Sequence, residues 1–221
     1  MNETHETGIP ESRLRRACAL VTEFEGYSRD SNAADLEEMH NEWDCRVKRS
    51  AQFMATQLGY RLFPLCGDAP LFDDWESEAT LDRRTILKWW ATPKQGRPVA
   101  AAIAASGMTV LDIDSRDGKN GFISLARWED LFGEFPRTRI IETPTGYQIH
   151  MRGITESDAS TLGEGLMIKS RGCFVRLPSP SAEVDGYRWL RIDDLEPAPE
   201  WLLNDAIHSK LRGGHTGEGG G

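Results

Sequence analysis

The sequence feature that most constrains the fold is a series of short apolar segments in the second half of the chain. A stretch of helical character at residues 121–132 is followed by five such segments, each ended by turn-forming residues: 138–143, 147–152, 165–169, 173–178 and 187–190. Strands joined by short turns pair as antiparallel hairpins, whereas parallel strands need long, usually helical connections. This order predicts an α+β fold with a mixed or antiparallel sheet rather than repeating βαβ units.

The first half of the chain is predicted to contain more helix. Helices are expected at 11 to about 27, 32 to about 58 and 82 to about 91, strands at 60–65, 99–104 and 108–114, and a last helix at 199–211. We therefore divide the chain into three parts. These are a helical N-terminal extension (1–50), a main domain (51–203), and the end of the C-terminal helix with a flexible Gly-rich tail (204–221).

Charge is unevenly distributed along the chain. The formal net charge is −9, and residues 21–45 alone carry eight acidic residues and one arginine, a net of −7. Because phosphates repel such a segment, we expect it not to contact nucleic acid. No apolar run approaches the roughly 18 residues of a membrane span, and the first residues lack the apolar segment of a signal peptide. We expect a cytoplasmic protein with no membrane partner.

Two carboxylates end the apolar segment VLDID. In a strand, Asp112 and Asp114 point to the same side because side chains alternate between faces. Like charges this close repel each other, and a divalent metal ion held by oxygen ligands would stabilise the pair. The alternative is that the aspartates only initiate the turn, as the following Asp117-Gly118 would also allow.

The same alternation in two later segments predicts a polar cleft. In YQIHMR, residues Gln148, His150 and Arg152 share one face, and in GLMIK, Met167 lies on the same face as Lys169. If these strands join the strand of Asp112 and Asp114, their polar faces surround a metal–phosphate ligand, with Arg152, Lys169 and Arg171 as phosphate-binding cations. The competing interpretation for His150 is an ordinary surface or core histidine.

An ordered set of motifs resembles the bifunctional primase-polymerase domain of the archaeo-eukaryotic primase superfamily. The similarity covers about residues 51 to 201 and follows the family order: GYRLFPL; Pro70, Trp75, Ala79, Thr80 and Asp82; WW with Pro93; VLDID; TPTGYQIH; RGCFVRLPSPS; GYRW. The resemblance implies an RRM-like catalytic core and template-directed nucleotidyl transfer with two divalent metals, Mg or Mn. Asp112 and Asp114 match the family's metal-binding D-h-D motif, and His150 matches the histidine that contacts the phosphates of the incoming nucleotide.

The sequence departs from the family pattern at several positions. Met167 stands where the family has a third metal-binding acid, and a thioether does not replace a carboxylate for magnesium. Gln148 replaces a small residue two positions before the histidine. Asp68-Ala69 replaces a basic residue before Pro70, and alanines replace glycines near Ile103. Glu164 lies near Met167 in sequence, but its parity is wrong unless Gly165 bulges the strand.

These features leave three hypotheses about function. The first is a DNA primase/polymerase domain from the replication module of a phage, plasmid or integrated element, with nucleotides and a single-stranded DNA template as partners. The second is a catalytically lapsed module that binds nucleotide or nucleic acid and acts through a replicative helicase. The third is an unrelated metal-dependent phosphoesterase that uses Asp112, Asp114 and His150.

Overall fold

The structure, a computed structural model, describes residues 39–90, 98–155, 159–179, 186–204 and 207–208. The helices are α1 (Met39–Thr56), α2 (Trp75–Glu78), α3 (Arg83–Trp89), α4 (Gly121–Phe132) and α5 (Glu200–Leu203). The strands are β1 (Leu62–Cys66), β2 (Ala69–Pro70), β3 (Val99–Ala102), β4 (Met108–Asp114), β5 (Arg139–Thr143), β6 (Gly146–Arg152), β7 (Ala159–Gly163), β8 (Leu166–Lys169), β9 (Phe174–Arg176) and β10 (Arg188–Arg191).

The strands form two sheets whose strand pairs are all antiparallel. The smaller sheet has the order β2-β1-β3-β9, and the larger has the order β10-β5-β6-β4-β8-β7. The α+β class and the antiparallel sheet predicted from the sequence are therefore confirmed. Strand β4 is central in the larger sheet, with β6 on one side and β8 on the other.

Helix α4 covers one face of the larger sheet. Its bounds equal the predicted ones because both ends are encoded locally: Asn120 accepts a hydrogen bond from the Ile123 N–H at the start, and Gly133 follows the end. The helix packs Leu125, Ala126 and Trp128 into an apolar core with every second residue of the central strands, among them Leu111, Ile113, Ile149, Leu166 and Ile168. The alternate residues of these strands therefore face away from α4.

The opposite face of the larger sheet is apolar at one end of β4 and polar at the other. At the apolar end, Met108, Val110 and Ile141 pack with residues of α1 and of the smaller sheet, among them Met54, Leu62, Val99, Ala101 and Val175. Further along β4, the residues on this face are Asp112 and Asp114, each partly exposed. The candidate site lies where this second core ends.

Several elements differ from the sequence expectations. Strand β7 was not predicted because its sequence, ASTLG, is mostly small and polar; pairing with β8 supplies its stability, and the Leu162 carbonyl accepts a hydrogen bond from the Trp128 indole. The last helix is described for only Glu200–Leu203 and residues 207–208, with an extended Asn204 between them.

Some predictions fall on residues outside the described ranges. They include the helix predicted over 11–27, residues 32–38 of the next one, and the tail from residue 209 onward. The helical N-terminal extension therefore stays a prediction. In the part of the chain that the structure describes, no helix has the length and apolar character needed to cross a membrane.

Candidate active site

The two aspartates lie on the same face of the central strand β4. Asp112 is directly opposite Gln148 of β6 and Met167 of β8, and Asp114 is opposite Gly146. Their side chains are 25% and 28% exposed, so both carboxylates can be reached from solvent while being partly enclosed. This placement agrees with the alternation predicted from VLDID.

Each carboxylate forms an ion pair with a lysine. The Lys169 Nζ lies 2.6 Å from the Asp112 Oδ2, and the Lys119 Nζ lies 2.8 Å from the Asp114 Oδ2. The hydrogen bond from Lys119 and a second one from the Arg116 N–H hold the pKa of Asp114 below its usual value. The repulsion between the aspartates is thus offset by two cations, of which Lys119 was not identified from the sequence.

The carboxylates of Asp112 and Asp114 fit a magnesium or manganese ion whose coordination is completed by oxygens of a bound ligand. Magnesium is commonly held by one or two carboxylates together with substrate phosphates, and Asp112 and Asp114 supply two hard oxygen donors on one face. Among the described residues, no group of three or more acidic, histidine or cysteine side chains is placed to hold a metal. Asp112 and Asp114 are therefore the two carboxylates that the described residues offer to an ion at this site.

Met167 occupies the position beside Asp112 where a third acid is expected. The β4–β8 register pairs Met167 with Asp112, while the neighbouring Leu166 and Ile168 are buried on the opposite face, as the parity predicted. Glu164 is exposed in the turn before β8, where Gly165 has a φ of +66°. Glu164 is therefore not the cross-strand neighbour of Asp112.

Gln148 flanks Asp112 on its other side and is buried. It lies opposite both Asp112 and Ile141, and its Oε1 has no hydrogen-bond partner among the described residues. Both cross-strand neighbours of Asp112 are thus positions where the sequence departs from the pattern noted above.

His150 lies on the same face as Gln148, two residues further along β6, and is fully buried. It is opposite Val110 of β4, and Val110 is in turn opposite Lys169 of β8. Its Nδ1 is 3.0 Å from the Tyr60 hydroxyl oxygen, and its Nε2 has no hydrogen-bond partner in the described part of the chain. Burial, assisted by the positive charges of Arg139 and Lys169, lowers the pKa of His150 to about 3, so the imidazole is neutral near pH 7.

Tyr60 and Arg139 surround His150 but were not singled out in the sequence. The Arg139 guanidinium lies over the Tyr60 ring, 5.3 Å from its centroid, and donates hydrogen bonds to the carbonyls of Leu58 and Asp193. Tyr60 belongs to the GYRLFPL motif, so the resemblance marked its segment but not its role. Gly59, with a φ of +75°, ends the helical segment and places Tyr60 against the larger sheet.

The two predicted arginines lie away from the acid pair. Arg152 is exposed and opposite Met108, four residues along β4 from Asp112, or about 13 Å at the usual rise of a strand. Arg171 is exposed in the turn after β8. The fold therefore brings together Asp112, Asp114, Lys169 and His150, and it leaves Arg152 and Arg171 at the other end of the strands.

These features define the class of protein as an α+β domain with paired carboxylates, two lysines and a buried histidine on one sheet face. The model of the family described as bifunctional DNA primase/polymerase, N-terminal, matches residues 51–201 of the chain. The match covers more than half of the chain, so this protein belongs to that family and the predicted resemblance is confirmed. A comparison with curated proteins finds no match. Membership supports a primase/polymerase-type function in replication.

Proposed function

We propose that this domain binds a nucleoside triphosphate on the face of Asp112, Asp114 and Lys169 and adds it to a primer in template-directed nucleotidyl transfer. The observation that carries the proposal is the acid pair on β4, partly exposed and in contact with two lysines, in a chain of the primase/polymerase family. Replication of a phage, plasmid or integrated element is the proposed context. We also propose that the core of the domain is RRM-like.

A magnesium or manganese ion would be held by Asp112 and Asp114 together with the phosphates of the nucleotide. An ion there supplies charge neutralisation at the transferring phosphoryl group and lowers the pKa of the attacking 3′-hydroxyl. Lys169 and Lys119, which now pair with the carboxylates, would turn their charge toward the phosphates. Because the lysines are partly exposed, this exchange requires only side-chain rotation.

The remaining predicted cations suit a longer polyanion. Arg152 and Arg171 are exposed and lie roughly four residues along the strands from Asp112. A single-stranded DNA template that crosses this end of the sheet would meet both guanidinium groups, which favour phosphate contacts.

Met167 favours a second candidate function, in which the domain binds nucleotide or nucleic acid but catalyses poorly and acts through a partner such as a helicase. A thioether cannot neutralise developing negative charge, and losing one electrostatic contact of this kind typically costs on the order of 10²–10³ in rate. Since Met167 lies directly opposite Asp112, it faces the place where that charge would develop.

Primer extension decides between the two candidates. With magnesium, a primed single-stranded template and all nucleotides, we expect weak extension by the wild type and a gain of roughly tenfold or more in Met167→Asp. Met167→Asn is the matched control, because asparagine is similar in size to aspartate but uncharged, and it should show no gain in primer extension. Robust wild-type extension that Met167→Asp leaves unchanged would exclude the lapsed module.

Metal binding gives a readout that does not depend on turnover. Calorimetric titration of manganese in the presence of a non-hydrolysable nucleotide should show binding to the wild type and weaker binding to Asp112→Asn. Asp73→Asn, which alters an exposed acid outside the site, should bind as the wild type does. Equal binding by the wild type and Asp112→Asn would remove Asp112 from the proposed site.

A further inference from the structure

His150 and its two neighbours form a chain of polar contacts within the second core. The Tyr60 hydroxyl reaches the His150 Nδ1 at 3.0 Å, and the Arg139 guanidinium lies against the Tyr60 ring. The three residues come from different elements: Tyr60 precedes β1, Arg139 begins β5 and His150 is in β6. Tyr60 and His150 are fully buried, and Arg139 is 5% exposed, so water does not compete for these contacts.

The direction of the Tyr60–His150 hydrogen bond follows from the protons that the neighbouring groups carry. A phenol has one O–H to donate, and the His150 Nδ1 is the acceptor that lies within hydrogen-bond distance of it among the described residues. The Arg139 guanidinium, which lies against the Tyr60 ring, has only donors and offers this O–H no acceptor. Burial raises the pKa of Tyr60 to about 12, so the phenol keeps its proton. That proton is then directed at the His150 Nδ1, which accepts it.

The remaining proton of a neutral imidazole is then on Nε2. Which nitrogen carries the proton is set by the hydrogen bond that the other nitrogen makes. The Nε2–H is therefore a donor, and it is buried without a hydrogen-bond partner among the described residues. A buried donor without an acceptor costs about 1–3 kcal/mol, and a ligand that brings an acceptor removes this cost.

We propose that Tyr60 and Arg139 are positioning residues that hold His150 neutral with its proton on Nε2, so that this N–H donates to a phosphate oxygen of the bound nucleotide. The inference deepens the proposed function and rests on it for the identity of the ligand. Lys169, which lies two strands from His150 on the same face, with Val110 of β4 between them, supplies the positive charge that attracts the phosphate. The imidazole supplies a directed hydrogen bond without itself being charged.

The first test is the tautomer of His150, which nuclear magnetic resonance reads from the two ring-nitrogen shifts. We expect an Nε2–H tautomer in ¹⁵N-histidine-labelled full-length protein near pH 7, with the signals assigned by their loss in His150→Gln. Tyr60→Phe should shift the signals toward a mixture of tautomers. Tyr147→Phe, which removes a hydroxyl on the opposite face of β6, should leave them unchanged.

Two results would overturn the positioning role. One is an Nδ1–H tautomer in the wild type, and the other is a spectrum of folded Tyr60→Phe identical to that of the wild type. The wild-type spectrum is informative by itself, so the proposal remains testable if the Tyr60 variant does not fold.

The second test is the ligand. Adding inorganic tripolyphosphate should shift the His150 Nε2–H signal in the wild type, and Tyr60→Phe should bind tripolyphosphate roughly three- to tenfold more weakly, about the net value of one hydrogen bond. An Nε2–H signal that neither tripolyphosphate nor a non-hydrolysable nucleoside triphosphate perturbs would overturn the phosphate assignment. If primer extension is nevertheless robust, the proposed function stands and only this inference fails.

Discussion

His150 links the stability of this protein to pH because its imidazole is buried and neutral in the folded state. Its pKa is about 3 when folded, against an ordinary value of 6.5. Between these values the unfolded chain binds more protons than the folded one, so stability falls as the pH falls from 6.5 toward 3. The Tyr60 hydroxyl hydrogen-bonds to the ring, and the positive charges of Arg139 and Lys169 oppose its protonation.

We therefore expect the free energy of unfolding to decrease by up to about 1.4 kcal/mol per pH unit below pH 6.5. Urea unfolding of the wild type at pH 7, 6 and 5 measures this slope. His150→Gln has no imidazole at this position and should show a smaller slope, whatever its stability at pH 7. Parallel slopes for the two proteins would show that His150 is not the buried titrating group.

At the scale of secondary-structure elements, the end of β4 that carries Asp114 is held by a close approach to the turn before β8 and to the start of α4. The Asp114 N–H donates to the Gly165 carbonyl at 2.7 Å. A Cβ on Gly165 would come within 2.4 Å of the Asp114 carbonyl oxygen and 2.8 Å of the Gly121 nitrogen. Only glycine fits this junction, so the junction determines where the Asp114 carboxylate is presented.

Gly165→Ala should destabilise the fold by roughly 2–5 kcal/mol, because backbone strain at a φ of +66° adds to overpacking. Gly118→Ala is the matched control. Gly118 has a φ of +81° but has open space around its Cβ position, so only strain of about 1–2 kcal/mol applies there. Thermal or urea unfolding of both variants measures the difference, and equal losses would contradict the close approach.

At the scale of the whole molecule, negative charge is concentrated in the N-terminal segment, while the candidate site contains two lysines. Residues 21–38 carry six acidic residues and one arginine and precede the described part of α1. Phosphates are repelled by such a segment. We expect removal of residues 1–38 to leave the affinity for single-stranded DNA unchanged or to increase it.

Fluorescence anisotropy with a labelled oligonucleotide at two salt concentrations would measure the effect of this truncation. Any gain in DNA affinity should be smaller at the higher salt concentration, because salt screens electrostatic repulsion. A circular dichroism spectrum checks that the truncated protein is folded. A clear loss of DNA affinity in a folded truncation would show that the segment contributes to binding.

The sequence by itself determined the features that depend on neighbouring residues. The alternation in VLDID, YQIHMR and GLMIK assigned Asp112, His150 and Met167 to the polar faces of their strands, and the helical character of residues 121–132 predicted α4. The series of short strands determined the α+β class. Periodicity acts over a few residues, so it can be recognised without a tertiary structure.

Only the tertiary structure decided which faces meet and how deeply they are buried. The order β6-β4-β8 placed Gln148 and Met167 on either side of Asp112, and paired Asp112 with Lys169. Tyr60 and His150 are separated by 90 residues, yet their side chains form a hydrogen bond in a shared core. Burial in that core, assisted by the positive charges of Arg139 and Lys169, makes the imidazole neutral. Such contacts arise when distant segments pack against each other, and burial, which sets the charge of His150, is a property of that packing rather than of any local pattern.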